Sequence, residues 1–326
     1  MTVAKAYSVS LVGLAGTIIE IEAEISSNLP AFVLVGLPDA SLSEARDRVR
    51  AAAHNSGLPL PGRRVTVNLS PASVPKRGSI FDLAISLAIM SADGRVDPDS
   101  VTQWIHLGEL GLDGTLRGVN GVLPAVLAAK RAGFRRVIVS AENLNEALLV
   151  GDVEVLGAAS LAQVAKFHGA KVLAGELIRG VRRTSQTIVH TNVGLDLSDI
   201  IGQDQAIDAL TIAAAGGHHF LMVGPPGVGK TMLAERLPSI LPAMTPDEAI
   251  ETRAIQSIAG VGGGDNTFGL EKQRPFQAPH HSATLVSLIG GGVTFPRPGL
   301  VSLANHGFSV RLRKSSQSWE VYPTWH

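Results

Sequence analysis

The chain has 326 residues, 45% of them hydrophobic, with 28 basic and 28 acidic side chains and no cysteine. Length alone suggests about two domains, and the missing cysteines exclude disulfides and thiolate metal sites. The zero net charge excludes a pervasive basic coat for nucleic acid and leaves room only for local patches, because each half is balanced: 15 basic and 16 acidic groups in residues 1–170, 13 and 12 in residues 171–326.

From the N-terminus, residues 8–14, 17–25 and 31–35 read as strands. Ile19, Ile21, Ala23 and Ile25 alternate with Glu20, Glu22 and Glu24, which gives one dry and one wet face. That alternation, together with Gly13 and Gly16 inside the apolar stretch, argues against a signal peptide. No segment reaches the ~18 apolar residues of a membrane span, so a cytoplasmic protein without a membrane partner is expected. A turn at Leu37-Pro38-Asp39 leads to a helix with Ser41 and Glu44 spaced as a capping box and Gly57 beyond its end. Arg46, Arg48 and Arg50 on this helix, beside Glu44 and Asp47, are expected to form a solvated face.

Residues 65–69 read as a strand and 71–78 as a loop with Lys76 and Arg77. Ser79 then caps an apolar helix through Met90. Strands at 105–110 and 116–119 flank a Gly111–Gly114 turn. A helix at 124–132, a strand at 136–140, a helix at 141–149, a strand at 153–156 and a helix at 160–168 complete this region. Residues 171–190 lack periodicity and carry Arg179, Arg182 and Arg183, as an interdomain linker would.

The strongest signal follows. His218 and His219 lead into the apolar run Phe220, Leu221, Met222 and Val223. Gly224, Pro225, Pro226, Gly227, Val228, Gly229, Lys230 and Thr231 then match G-x-x-x-x-G-K-[ST] at every fixed position, and Met232 to Leu237 continue as a helix. A glycine loop between strand and helix aims backbone N–H groups at a phosphate. Lys230 is expected to hold the β- and γ-phosphates of ATP, and the Thr231 hydroxyl to complete a Mg²⁺ shell. The adjacent histidine pairs His218-His219 and His280-His281 do not share a helix face, so their spacing argues against a zinc site.

Two resemblances add to this reading. The segment from Gly108 through Leu110, Asp113, Gly114 and Arg117, with the later run Lys130-Arg131-Ala132-Gly133, resembles the end of the Lon protease proteolytic domain. That likeness implies a ribosomal-protein-S5-like α/β fold over residues 1–170. The family's Ser nucleophile falls on Ile80 and its Lys on Leu123, neither of which can perform the chemistry, so no catalytic residue is assignable and a non-proteolytic domain is expected.

Asp199, Ile200, Ile201, Gly202 and Gln203, about twenty residues before the phosphate loop, resemble the adenine-side box of AAA+ ATPases. Ile200, Ile201 and Gly202 are thereby implied to pack about the purine. The phrases from Arg274 through His280-His281 to Thr284, from Leu288 to Gly292 and from Pro296 to Ala304, with Leu34-Val35-Gly36-Leu37-Pro38-Asp39 near the start, resemble the YifB/ComM subfamily of magnesium-chelatase-like AAA+ proteins.

The resemblance implies a partial P-loop AAA+ α/β domain over residues 191–307, ATP and Mg²⁺ as cofactors, ring oligomers, and DNA as a partner of a branch-migration motor. A non-catalytic nucleotide-binding scaffold is the alternative, and a Lon-like peptidase the weaker one. After Gly307 the family continues into an apolar strand ending in Asp-Glu, whereas this chain reads Phe308-Ser309-Val310-Arg311-Leu312-Arg313-Lys314. That departure resembles a frame change, and it predicts a truncated chain with residues 308–326 as a disordered tail and hydrolysis strongly slowed.

Overall fold

A computed structural model describes residues 3–36, 44–76, 78–180, 195–218, 220–223, 225, 227–261, 270, 272–280, 282–292, 296–313 and 318–323. The Ser41 capping box, the Leu37–Asp39 turn, residues 181–190 of the expected linker, and Gly224, Pro226, His219 and His281 lie outside the described residues. The chain divides into two compact units, Met1–Arg183 and Thr184–His326.

The first unit is built on an eight-stranded mixed sheet in the order β10-β9-β8-β5-β1-β2-β4-β3. Its strands are β1 (Val3–Val12), β2 (Ala15–Ser26), β3 (Ala31–Val35), β4 (Arg64–Ser70), β5 (Ile105–His106), β8 (Arg136–Ser140), β9 (Glu154–Ala158) and β10 (Ile178–Arg179). Two short strands, β6 (Glu109–Leu110) and β7 (Leu116–Arg117), form a separate hairpin. Strand pairs β1–β5, β5–β8, β8–β9 and β3–β4 run parallel, while β1–β2, β2–β4 and β9–β10 run antiparallel.

The alternation seen in the sequence fixes the register. Ile19, Ile21 and Ala23 of β2 and Val65, Val67 and Leu69 of β4 are buried, and Glu20, Glu22 and Glu24 turn to the other face. Lys5 and Tyr7 of β1 meet Glu20 there, at 2.9 and 3.1 Å. The helix Asp82–Ala92 is apolar on all sides and buried from Asp82 to Ser91, as expected of a helix enclosed by its own domain.

One expectation about this unit is corrected by a single ion pair. Arg48 does not lie on a solvated face. Its guanidinium grips the fully buried Asp82 carboxylate with two hydrogen bonds, 2.7 and 3.1 Å. Burial pushes the Asp82 carboxyl up to about 6, against the pull of Arg48. Ser79 is likewise not a helix cap. Its hydroxyl donates to the Glu109 carboxylate, and Gly78 occupies the cap position instead.

The expected linker also starts later than its composition suggests, because Ile178 and Arg179 pair with Gly157 and Leu156 at the edge of the sheet.

The second unit carries a four-stranded sheet in the order β11-β16-β15-β12, from β11 (Phe220–Val223), β12 (Phe276–Gln277), β15 (Phe308–Arg313) and β16 (Ser318–Pro323). A small ribbon joins β13 (Gly290–Gly291) to β14 (Arg297–Pro298). The expectation of a disordered tail is corrected for the described residues 308–313 and 318–323: β16 pairs antiparallel with both β11 and β15. The physical reason is the period. Phe308, Val310 and Leu312 alternate with Ser309, Arg311 and Arg313, and Trp319 and Val321 alternate with Ser318 and Glu320, which suits a strand whatever the acids at its end.

Phe308 is buried in a core with Leu197, Ile200, Leu210, Met222, Leu233 and Leu237. The helix Pro246–Ala259 opens on a capping box of Thr245 and Glu248 and closes on Gly260 in the left-handed region (φ 72°). Arg274, nearly buried, ties its start to the chain around β15 through the Pro242 and His306 carbonyls (2.8 and 2.7 Å) and Glu248.

Candidate functional site

The phosphate-loop sequence lies between β11 and the helix Lys230–Arg236, as its pattern requires. Met222 of β11 points into the core and Leu221 and Val223 point out. Gly227 and Gly229 both take left-handed backbone, at φ 87° and 86°, which a side chain would strain. A Cβ built on Gly227 meets nothing within 4 Å, so the loop is open on that side.

Gly229 is the N-cap of the helix, followed directly by Lys230 and Thr231. The Lys230 ammonium folds back over the loop and donates to the Pro225 carbonyl at 2.8 Å, and Thr231 is exposed. The start of this helix, a cation spanning the loop and an exposed threonine one residue on form a set of groups suited to a polyphosphate with its metal.

The adenine-side residues divide. Asp196–Asp199 form a turn closed by a reciprocal capping box, and the Leu197 N–H donates to Ser239 beyond the phosphate-loop helix at 3.2 Å. Ile200 is buried with Leu197, Leu210, Leu233 and Leu237, so its side chain belongs to the core. Ile201 is 98% exposed, and Gly202, left-handed at φ 79°, has open space where a Cβ would stand. Of the three residues implied to pack about a purine, Ile201 and Gly202 are open to solvent and Ile200 anchors the turn.

Sequence reasoning did not single out Gln203 as a site residue. It sits at φ 60°, unusual for a residue with a side chain. Its amide donates to the Val228 carbonyl of the phosphate loop at 2.7 Å. Its sequence signal was membership of the Asp199–Gln203 segment, in which only Ile200, Ile201 and Gly202 were given a role.

In the first unit, the positions matching the Lon nucleophile and lysine are Ile80, half-buried, and Leu123, fully buried in the helix Val122–Arg131. Lys76, on the preceding loop, is also fully buried and donates to the Pro71 carbonyl, and burial lowers its pKa. Among the described residues no cluster of three or more His, Asp or Glu could hold a metal, and no helix is long and apolar enough to cross a membrane.

A strand, a glycine loop and a helix opening on Lys-Thr, with an Asp-Ile-Ile-Gly-Gln turn docked beside it, define a P-loop α/β module of the AAA+ type. In sequence it follows a Lon-like α/β unit. The family models agree: "Magnesium chelatase, subunit ChlI" matches residues 196–310 and "Subunit ChlI of Mg-chelatase" matches residues 21–143.

Among full-length relatives, the chain is 48% identical over 308 residues to an uncharacterized protein of Mycobacterium tuberculosis, covering 94% of this chain and 59% of the relative. It is 45% identical over 307 residues to competence protein ComM of Haemophilus influenzae (94% and 59%), and 39% identical over 307 residues to the uncharacterized protein YifB of Escherichia coli (94% and 58%). A shorter match, 36% over 85 residues (24% of this chain and 8% of the relative), is to the archaeal Lon protease of Pyrococcus abyssi. The chain belongs to the ComM/YifB family of magnesium-chelatase-like AAA+ proteins. It spans 58–59% of the length of these three full-length relatives.

Proposed function

We propose that this chain binds ATP with Mg²⁺ at the loop formed by Gly224, Pro225, Pro226, Gly227, Val228, Gly229, Lys230 and Thr231, as the nucleotide-binding part of an AAA+ motor that remodels branched DNA. The observation that carries the nucleotide reading is the pair of left-handed glycines, Gly227 and Gly229, placing open backbone at a helix start directly before Lys230 and Thr231.

In this reading the loop amides take the β-phosphate and Lys230 exchanges the Pro225 carbonyl for phosphate oxygen. Thr231 supplies one oxygen ligand to Mg²⁺, and Ile201 and Gly202 cover one side of the purine. The metal's contribution is to neutralise charge on the phosphates. The DNA role rests on the likeness to competence protein ComM. The balance of basic and acidic groups in each half gives no pervasive basic coat, so DNA contact is assigned to local groups.

Strand β15 carries Arg311 and Arg313 where the family's strand ends in two acids. Without a carboxylate there to polarise water, this chain binds nucleotide far better than it hydrolyses it. The first unit is read as a non-catalytic module, because Ser79 is engaged by Glu109 and Leu123 lies in the core.

The test is a titration of the whole chain with ATP·Mg²⁺ alongside steady-state turnover with and without four-way-junction DNA. Micromolar binding with turnover far below that of the full-length relatives is expected. DNA-stimulated turnover comparable to theirs would contradict the hydrolysis claim, and an absence of nucleotide binding would overturn the whole reading.

A further inference from the structure

We infer that Gln203 is a positioning residue that fixes the direction of the Gly229 N–H in the phosphate loop; this rests on the proposed ATP site. The Gln203 amide Nε2 donates to the Val228 carbonyl oxygen at 2.7 Å. In a trans peptide the carbonyl and the following N–H point in opposite directions, so holding the Val228 oxygen turns the Gly229 N–H away from Gln203.

Gly229 is left-handed and glycine-soft, and without an outside partner the Val228–Gly229 peptide is free to rotate. A Cβ on Gly229 would also come within 3.1 Å of the same Gln203 Nε2, so the amide lies against the backbone it holds.

Gln203 is itself constrained. It takes left-handed backbone at φ 60°, and its own carbonyl accepts the Ala206 and Ile207 N–H groups at 2.9 and 3.1 Å, opening the helix Asp204–Gly216. A residue with a Cβ is strained in that region relative to ordinary backbone. Glycine or asparagine would relieve that strain, and neither could reach Val228. The strain is thus spent on a long side chain that donates a hydrogen bond. Because Ile201 and Gly202 precede it directly, the same turn joins the purine side of the proposed site to its phosphate side.

Competition binding on the full chain, with ATP, ADP and adenosine as probes, tests this. Gln203→Glu keeps the length but presents no donor to a carbonyl, and Gln203→Met keeps the length without any polar group. Both are expected to weaken ATP and ADP by about three- to tenfold, the size of one lost solvent-exposed hydrogen bond, while adenosine affinity and the thermal midpoint stay at wild-type values.

Unchanged ATP affinity in Gln203→Glu would overturn the inference. So would an equal loss for ATP and adenosine, which would make Gln203 a purine contact or a general structural residue. If wild type binds none of the three, it is the ATP reading that fails, and the positioning role goes with it.

Discussion

The two units differ in how completely their apolar side chains are covered. In the first, the sheet and the helix Asp82–Ala92 bury Ile19, Ile21, Leu69, Leu83, Ile85, Leu87, Ile89 and Met90 completely. In the second, the buried cluster is small, and among the described residues Ile201, Ile212, Val223, Leu285, Val286 and Ile289 are all more than half exposed. A dense core resists change and holds few groups with chemistry to offer. The thinner core leaves its glycine loop and exposed hydroxyl accessible. Stability and ligand binding should therefore report on different halves of this sequence.

The largest break in that comparison comes from Arg48→Ala. It leaves the Asp82 carboxyl, 0% exposed, without its cationic partner. Removing one member of a buried pair costs about 3–5 kcal/mol. Urea unfolding at pH 7.5 should show this loss in the first unit and none in ATP affinity. The loss should shrink on acidification, since a protonated Asp82 carries no charge to strand. Ile85→Ala comes next, at about 2–4 kcal/mol for a fully enclosed side chain. It too should spare nucleotide binding, whereas Leu233→Ala, behind the phosphate loop, should weaken it.

A third effect depends on pH. His168 and His106 lie buried with Nε2 atoms 3.1 Å apart, and Ser100 holds the other nitrogen of His168 at 2.8 Å. Burial pulls His168 down to about 4 and His106 well below its ordinary value. A folded pKa below the unfolded one means the stabilising share is intact above about 6.5 and is lost as pH falls towards 4. Asp82 runs the other way. Its folded value of about 6 exceeds the unfolded one, so its share is whole below about 4 and is lost as pH rises through 6. The thermal midpoint of the first unit should fall between pH 6.5 and 5, and His168→Gln should flatten that slope; an unchanged slope would remove the buried pair as its cause. The smallest effect expected is that of Gly227→Ala. The added methyl meets open space, leaving only the left-handed backbone cost of about 1 kcal/mol, but ATP affinity should drop because the methyl occupies the face offered to phosphate.

Elements with a strong period were legible from the residues. Strands β3 and β8 begin and end where alternation and β-branched runs place them, and the helix expected from Met232 starts two residues earlier, at Lys230, directly after the last loop glycine. What escaped was either long-range or hidden by a stronger pattern. Arg48 and Asp82 are 34 positions apart, and nothing local announces that one neutralises the other. The strands β15 and β16 stand where the family's two acids are missing, and their two-residue alternation outweighs that loss. The short helix Pro98–Thr102 carries a start signal in Asp97, whose side chain accepts the Asp99 N–H, with proline at the first helical position. Gln203 could not have been read ahead, because its role depends on a left-handed turn that brings it to a loop 25 residues on.

The central claim is that the loop ending at Lys230 and Thr231 grips the phosphates of ATP. Calorimetric titration of the full chain with ATP in millimolar Mg²⁺ tests it most directly, with Lys230→Ala measured alongside. The account predicts saturable one-site binding by the wild-type chain and at least a tenfold loss in Lys230→Ala, with the unfolding profile of the first unit unchanged in both. Folded wild-type protein that gives no binding heat at millimolar ATP, or a Lys230→Ala chain that binds as tightly as wild type, would contradict it.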